Sequence, residues 1–408
     1  MKYYGFILLI PIVALLTIVV GCKNDVAEPI WAQPGSATLT ISVDSIIPAQ
    51  IPVGVNTVTI LGKNFDPDIR KNFVYFGDTI AAIKSLSNSQ IVVYRPNIVI
   101  DSCRVRVTSN TSYNISNAYG PCRVDSVFGK YGILTDTFRL GAIAVDNTEN
   151  VYGVRLNNGL YNIWRIPENS SPVLLGNATY QPSDFKIHNG ILYIIGTGTS
   201  GNRNIYQMNL TSGVVSKWTT MPTNRFAFYG DFGPTGYFYT GGTYKTTFSD
   251  LCIVPPNPPS TLNATQVKYA KAYTSDSIFA IRVYNGYVYV ASKPIAATAT
   301  KIFKHQINAD SVMQQIPVLD LGDYGITSAV KGLAFSSNGT MYIMIDDVNS
   351  LLVFDGITLD YFYKGIVPGN AKQCYWGTST FLYTINAINS GKWNIERINI
   401  GATRAPYY

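Results

Sequence analysis

The chain has 408 residues, enough to bury a sizeable core and to hold two domains. Only 13% of it is charged, about half the roughly 25% usual for soluble domains, so Asn, Ser, Thr, Gly and 29 tyrosines must cover much of the surface. The net charge of +7 comes from scattered basic residues, with Arg70-Lys71 as the densest pair; this excludes the concentrated basic stripe that nucleic acid needs, and two histidines with five cysteines are too few for most clustered zinc sites.

Lys2 precedes an uncharged, mostly apolar run from Phe6 to Val20, which stops at Val19-Val20-Gly21-Cys22 before polar Lys23-Asn24-Asp25. Residues 1–21 read as a secretory signal rather than a folded element. An uncleaved membrane helix over residues 3–21, just long enough to span, is the alternative. The four residues ending at Cys22 resemble the bacterial lipobox, in which a small residue precedes the lipidated cysteine. That resemblance implies a diacylglycerol on Cys22, cleavage before it and stable anchoring by several acyl chains, hence an outer-membrane lipoprotein. Lys23-Asn24-Asp25 resembles the short charged export signal of Bacteroidetes-type lipoproteins, without its second acid, which makes outward orientation an expectation. Residues 22–38, with Pro29, Pro34 and Gly35 and no apolar period, read as a tether.

Residues 39–121 hold at least five short strand patterns, among them Thr38-Leu39-Thr40-Ile41-Ser42-Val43, Thr57-Val58-Thr59-Ile60-Leu61, Phe73-Val74-Tyr75-Phe76 and Gln90-Ile91-Val92-Val93-Tyr94. Close spacing with turn residues between them predicts a β-sandwich. The pattern Pro48…Gly54…Val58-Thr59-Ile60-x-Gly62-x-Asn64-Phe65…Val74-x-Phe76-Gly77…Pro96…Val105-x-Val107 resembles the IPT/TIG family of immunoglobulin-like domains over about 80 residues. The resemblance implies a spacer or interaction module without catalytic residues. Gly62 and Asn64 are expected in turn conformations that other residues resist. Cys103 and Cys122 are a candidate disulfide, since an exported protein meets an oxidising compartment; two unpaired thiols are the alternative.

From 122 to 408 the chain repeats itself. A tyrosine strand led by Asn, Gly or Thr recurs, and its tyrosines at 152, 193, 239, 289, 342 and 383 are spaced 41, 46, 50, 53 and 41 residues apart. A period of 40 to 50 residues with aromatic and β-branched content predicts propeller blades. Each repeat places a strand and tight turn before the tyrosine strand, and one or two strands after it. Six blades are expected, with seven the nearest alternative. The last repeat lacks a fourth strand, which Cys122 to Val127 would supply to close the ring. Ala144-Val145-Asp146-Asn147-Thr148-Glu149-Asn150-Val151-Tyr152 resembles the NHL-like repeat, which implies the architecture alone. The tyrosines themselves read as packing between neighbouring blades.

The chemistry is sparser. No glycine-rich phosphate cradle, nucleophile elbow or paired histidines occur, and no cofactor or metal is expected. The channel acids to consider are Asp146, Glu149, Asp184, Asp231, Asp346 and Asp347. The leading expectation is a non-enzymatic, lipid-anchored surface protein that binds a glycan or a cell-surface protein. Trp164, Trp218, Trp376 and Trp393 are its candidate contacts, because indole faces pack well on sugar rings. A propeller lyase or hydrolase and a structural component of the envelope are the two alternatives.

Overall fold

Strand alternation builds the first domain. In the computed structural model, which describes residues 40–408 except 111–114, 136–139, 158, 197–202, 245–246, 249, 272, 274, 309–310 and 390–391, Val58, Ile60, Val74, Phe76, Ile91, Val93, Val105 and Val107 are all fully enclosed. Over most of their strands they alternate with half-buried or exposed neighbours, so every second side chain enters one core. The signal segment, Cys22 and the tether lie outside the described residues. One sheet orders its strands Ser42–Ile47, Thr57–Lys63, Gln90–Tyr94, Ile83–Leu86; the other orders Thr79–Ala81, Asn72–Phe76, Ile100–Ser109, Tyr119–Val124. The two pack as a sandwich around that core.

Asn64 takes a left-handed φ of 62°, as its sequence context suggested. Gly62 is needed for a different reason: a Cβ there would lie 2.0 Å from the Ser42 carbonyl oxygen. Cys103 stands directly opposite Cys122 in the ladder and both are free thiols, the second of the two readings that the sequence left open. The strand ladder already ties these segments together, and the thiols fill core volume as small apolar groups. Burial pushes the Cys122 thiol up to about 12, which keeps it unreactive.

Six four-stranded antiparallel sheets follow. Their first strands are Leu140–Val145, Asp184–His188, Tyr229–Phe232, Asp276–Tyr284, Val330–Phe335 and Ala371–Trp376. These touch one another in cyclic order, the sixth against the first, and so enclose an axis. We number the sheets blades 1 to 6. Blade 6 is completed by Phe128–Tyr131, paired to Lys392–Asn399. The closing strand therefore comes from residues 128–131, not 122–127, because Cys122 and Val124 belong to the sandwich core. Closure hides the ring's edges. A separate two-stranded sheet, Thr243–Tyr244 with Thr247–Phe248, falls in sequence between the second and third strands of blade 3.

All six repeated tyrosines are buried, none more than 8% exposed. They pack against the next blade: Tyr193 on Phe232, Tyr289 on Phe335, and Tyr342 on Trp376, with ring centroids 4.6 to 5.2 Å apart. The sandwich is docked on blades 5 and 6. Asn56 accepts from Tyr363 N at 2.7 Å and donates to the Tyr361 carbonyl at 2.8 Å; Gly54 N donates to the Tyr363 hydroxyl at 2.7 Å. Buried Arg95 donates to the carbonyls of Ile51, Pro52 and Asp125, which fixes the linker between the domains. Among the described residues no helix is long and apolar enough to cross a membrane.

Candidate functional site

The tyrosine repeat supplies a ruler for the axis. Across each ladder the tyrosine faces one first-strand residue: Tyr152 faces Ala144, Tyr193 Lys186, Tyr239 Asp231, Tyr289 Arg282, Tyr342 Ala334 and Tyr383 Tyr375. These six form one level of the ring. Two residues earlier comes a second level: Ala142, Asp184, Tyr229, Ala280, Gly332 and Gln373. The four alanines and the glycine leave the axis to the polar side chains. Gly332 cannot be larger, since a Cβ would meet Cys374 Sγ at 2.4 Å.

Those polar chains form one buried network. Lys186 pairs with Asp184 at 3.1 Å, and Gln373 Nε2 donates to the same carboxylate at 2.6 Å while its Oε1 accepts from Ile143 N at 2.8 Å. Arg282 pairs with Asp231, which also accepts from Val283 N at 2.8 Å. Both members of this second pair are almost wholly enclosed, at 2% and 3% side-chain exposure. Burial pushes the Asp184 carboxyl above the usual range, against the pull of Lys186. Burial alone would lower Lys186; the carboxylates of Asp184 and Asp231 outweigh it and hold the lysine high. Removing such charges from water is costly even when they are paired.

One end of the axis is open. As in blade 1, between Leu140 and Ile143, the ladder register slips at the start of the first strand in blades 4, 5 and 6, there around one residue each: between Ile278 and Ala280, Val330 and Gly332, and Ala371 and Gln373. Such bulges redirect side chains. The extra residues are Phe279, Lys331 and Lys372, and all three line a cavity of about 60 Å³ at the channel mouth, together with Ser183, Tyr229 and Arg282. Lys331 and Lys372 both reach Asp346 Oδ2, at 3.3 and 3.5 Å. Antiparallel pairing puts the loops after Pro294 and Ile345 on this same face, and their tips carry the highly exposed Ile295 and Val348.

The other end is filled by the chain itself. Ala405 N donates to the Phe335 carbonyl at 2.8 Å, and Arg282 donates to the Pro406 carbonyl at 2.8 Å. The Tyr407 ring stacks on Tyr375, centroids 4.6 Å apart, and lies 3.8 Å from the Arg282 guanidinium. His188 Nδ1 meets the Tyr408 carbonyl oxygen. A second cavity of about 200 Å³ remains there, lined in part by His188, Asn189, Arg404 and Tyr408.

The structure scatters the residues that sequence singled out. Trp376 is enclosed at 1% exposure, with its indole N–H on the Ser379 carbonyl, which corrects its expected role as a ligand contact. Trp164 and Trp393 are half-buried against the core shared by blades 1 and 6. Trp218 is half-buried against Tyr193 and Phe238. Of the acids, Asp184 and Asp231 reach the axis and Asp346 the mouth. Asp146 instead accepts from Thr148 N, Asn150 N and the Tyr152 hydroxyl in a turn. Glu149 accepts from Thr378 and Ser379 and so joins blade 1 to blade 6. Asp347 accepts from Ser328 Oγ at 2.7 Å. Lys186, Arg282, Phe279, Lys331, Lys372 and Gln373 were not singled out. All six are in first strands, and the spacing of seven residues from Lys186 and Arg282 to a repeated tyrosine gains meaning only with the ladder register in hand.

Residues 42–122 match the IPT/TIG domain family. No curated protein matches the sequence. Among solved structures, the chain is similar to a Bacteroides thetaiotaomicron protein of unknown function at 12% identity, with a TM-score of 0.51 over 90% of this chain and 100% of that one. It is similar to regucalcin, a calcium-binding protein from Agrobacterium tumefaciens, at 10% identity and a TM-score of 0.50 over 69% of this chain and 96% of that one. An auxiliary nutrient binding protein from B. thetaiotaomicron matches at 10% identity with a TM-score of 0.49, over 90% and 98%. Identities this low show the fold alone: an IPT/TIG sandwich followed by a β-propeller.

Proposed function

We propose that this is an envelope protein, lipidated at Cys22 and held at the outer membrane, whose propeller binds a glycan at the open mouth of its channel. A cell-surface protein is the other partner class that the exposed rim suits. The observation that carries this reading is the set of three matching bulges in neighbouring blades. They deliver Phe279, Lys331 and Lys372 to one cavity above a buried charge network. A concave site with an aromatic wall and a few converging polar groups is the usual form of a ligand site. The sandwich, docked on blades 5 and 6, would hold the propeller in a fixed attitude to the membrane.

A second reading, polysaccharide lyase or hydrolase, is favoured by one feature. Asp184 lines the mouth cavity, and its burial raises its proton affinity as catalytic acids require. Affinity electrophoresis of the full chain in gels cast with different polysaccharides, with the eluted glycan then sized, separates the readings. Retardation with intact polymer supports binding. Retardation with shortened polymer supports catalysis. Free migration in every gel removes the glycan and moves the assignment to a protein partner.

A further inference from the structure

We infer that the mouth selects acidic saccharides: a carboxylate or sulfate enters between Lys331 and Lys372, while the sugar ring that bears it lies on the rim against Phe279. This rests on the reading of the mouth as a glycan site. Four cations line the cavity (Lys186, Arg282, Lys331 and Lys372), against three carboxylates that pair with them (Asp184, Asp231 and Asp346). The surplus is at the rim, where two ammonium groups share a single Asp346 oxygen at 3.3 and 3.5 Å. Those distances leave donors on both lysines for a second acceptor. The neighbouring Asp347 does not supply it, being turned to Ser328 Oγ and Val348 N.

Size makes the division of labour. About 60 Å³ admits a few waters or one small polar group, not a sugar ring. The ring must therefore stay outside, where Phe279 offers an aromatic wall and Ile295 and Val348 an apolar edge. Beneath, Arg282 Nε has no protein partner although the residue is buried, so a donor remains for a water or ligand oxygen at the cavity floor. The bulges are the construction that makes this possible. Without them Lys331 and Lys372 would fall into the alternation of the blade and point between sheets.

The test uses the detergent-solubilised full chain in gels containing polygalacturonate, its fully methyl-esterified form, dextran sulfate or dextran. The expected result is retardation by the acidic polymers and none by the ester or dextran; whichever polyanion retards more identifies carboxylate or sulfate as the group preferred. Lys331→Gln with Lys372→Gln should weaken retention about tenfold or more, the size of a charge-assisted hydrogen bond. Lys63→Gln with Lys71→Gln removes the same charge from the exposed sandwich surface and should leave retention unchanged. Equal retardation by neutral and acidic polymers, or equal losses in the two double variants, would overturn acid selectivity and leave the mouth as a neutral-glycan site. Free migration in all four gels would overturn both.

Discussion

The sandwich interior and the propeller axis are built by the same alternation and filled in opposite ways. The inward positions of the sandwich strands are apolar except at the strand ends Asn72 and Ser109, and they close on one core. At the axis, the inward positions of four blades carry Asp184, Lys186, Asp231, Arg282, Gln373 and Tyr375, and two blades withdraw with alanine or glycine. A ring of six strands does not need those charges to fold, since well-packed apolar groups of similar volume are usually as stabilising or more so. The comparison teaches that the sandwich interior is built for packing, as the proposed role of a support requires, while the axis keeps buried polar groups where apolar ones would serve the fold.

The largest effect should come from breaking one axial pair. Arg282→Ala leaves Asp231 enclosed without its counter-ion and should cost about 3–5 kcal/mol in chemical unfolding. Replacing both partners, Arg282→Met with Asp231→Leu, should recover most of that loss or exceed wild type. If Arg282→Ala costs no more than a surface change, the axis is wet and the contrast with the sandwich fails. Ile60→Ala, in the sandwich core, should cost about 2–5 kcal/mol, with no partner change that rescues it.

How much of this was legible follows from what repeats. The tyrosine strands recur because each blade must pack on the next, so one residue type at one strand position announced the ring. The IPT/TIG sandwich was legible for a similar reason: Asn64 and Gly62 answer to local backbone constraints. The site residues do not recur. Ala144, Lys186, Asp231, Arg282, Ala334 and Tyr375 are structurally equivalent and chemically unrelated, so no pattern marks them until the ladder register is known. The bulges that aim Lys331 and Lys372 leave no composition signal at all. Tryptophan was a poor guide, because at Trp376 the closing of blade 5 on blade 6 outweighs exposure.

Smaller effects sharpen the contrast between support and site. Trp218→Ala removes a ring from the packing of Tyr193, Phe232 and Phe238 and should lower the thermal midpoint while leaving glycan retardation unchanged. Loss of retardation without loss of stability would move the site to the outer blade surface. Glu396, buried in blade 6, has its carboxyl raised above the ordinary 4.5 by burial, against Asn386 and Lys130. The folded state therefore holds that proton more tightly than the unfolded chain. The resulting stability is full below the unfolded value and is lost as pH rises through the folded one. Glu396→Gln keeps an acceptor for Asn386 Nδ2 and removes the ionisation. It should be more stable than wild type at pH 7, with the difference vanishing toward pH 4 in urea titrations.

The most direct measurement of the central claim is hydrogen–deuterium exchange of the full chain, with and without the polysaccharide that retards it most. The account predicts slower exchange in the mouth loops 294–300 and 346–350 and in the strand starts at 276–280, 330–333 and 371–374, with 145–151 and 188–190 unchanged. Protection confined to 145–151, 188–190 and 404–408 would place the ligand at the tail-filled end and contradict the assignment of the mouth.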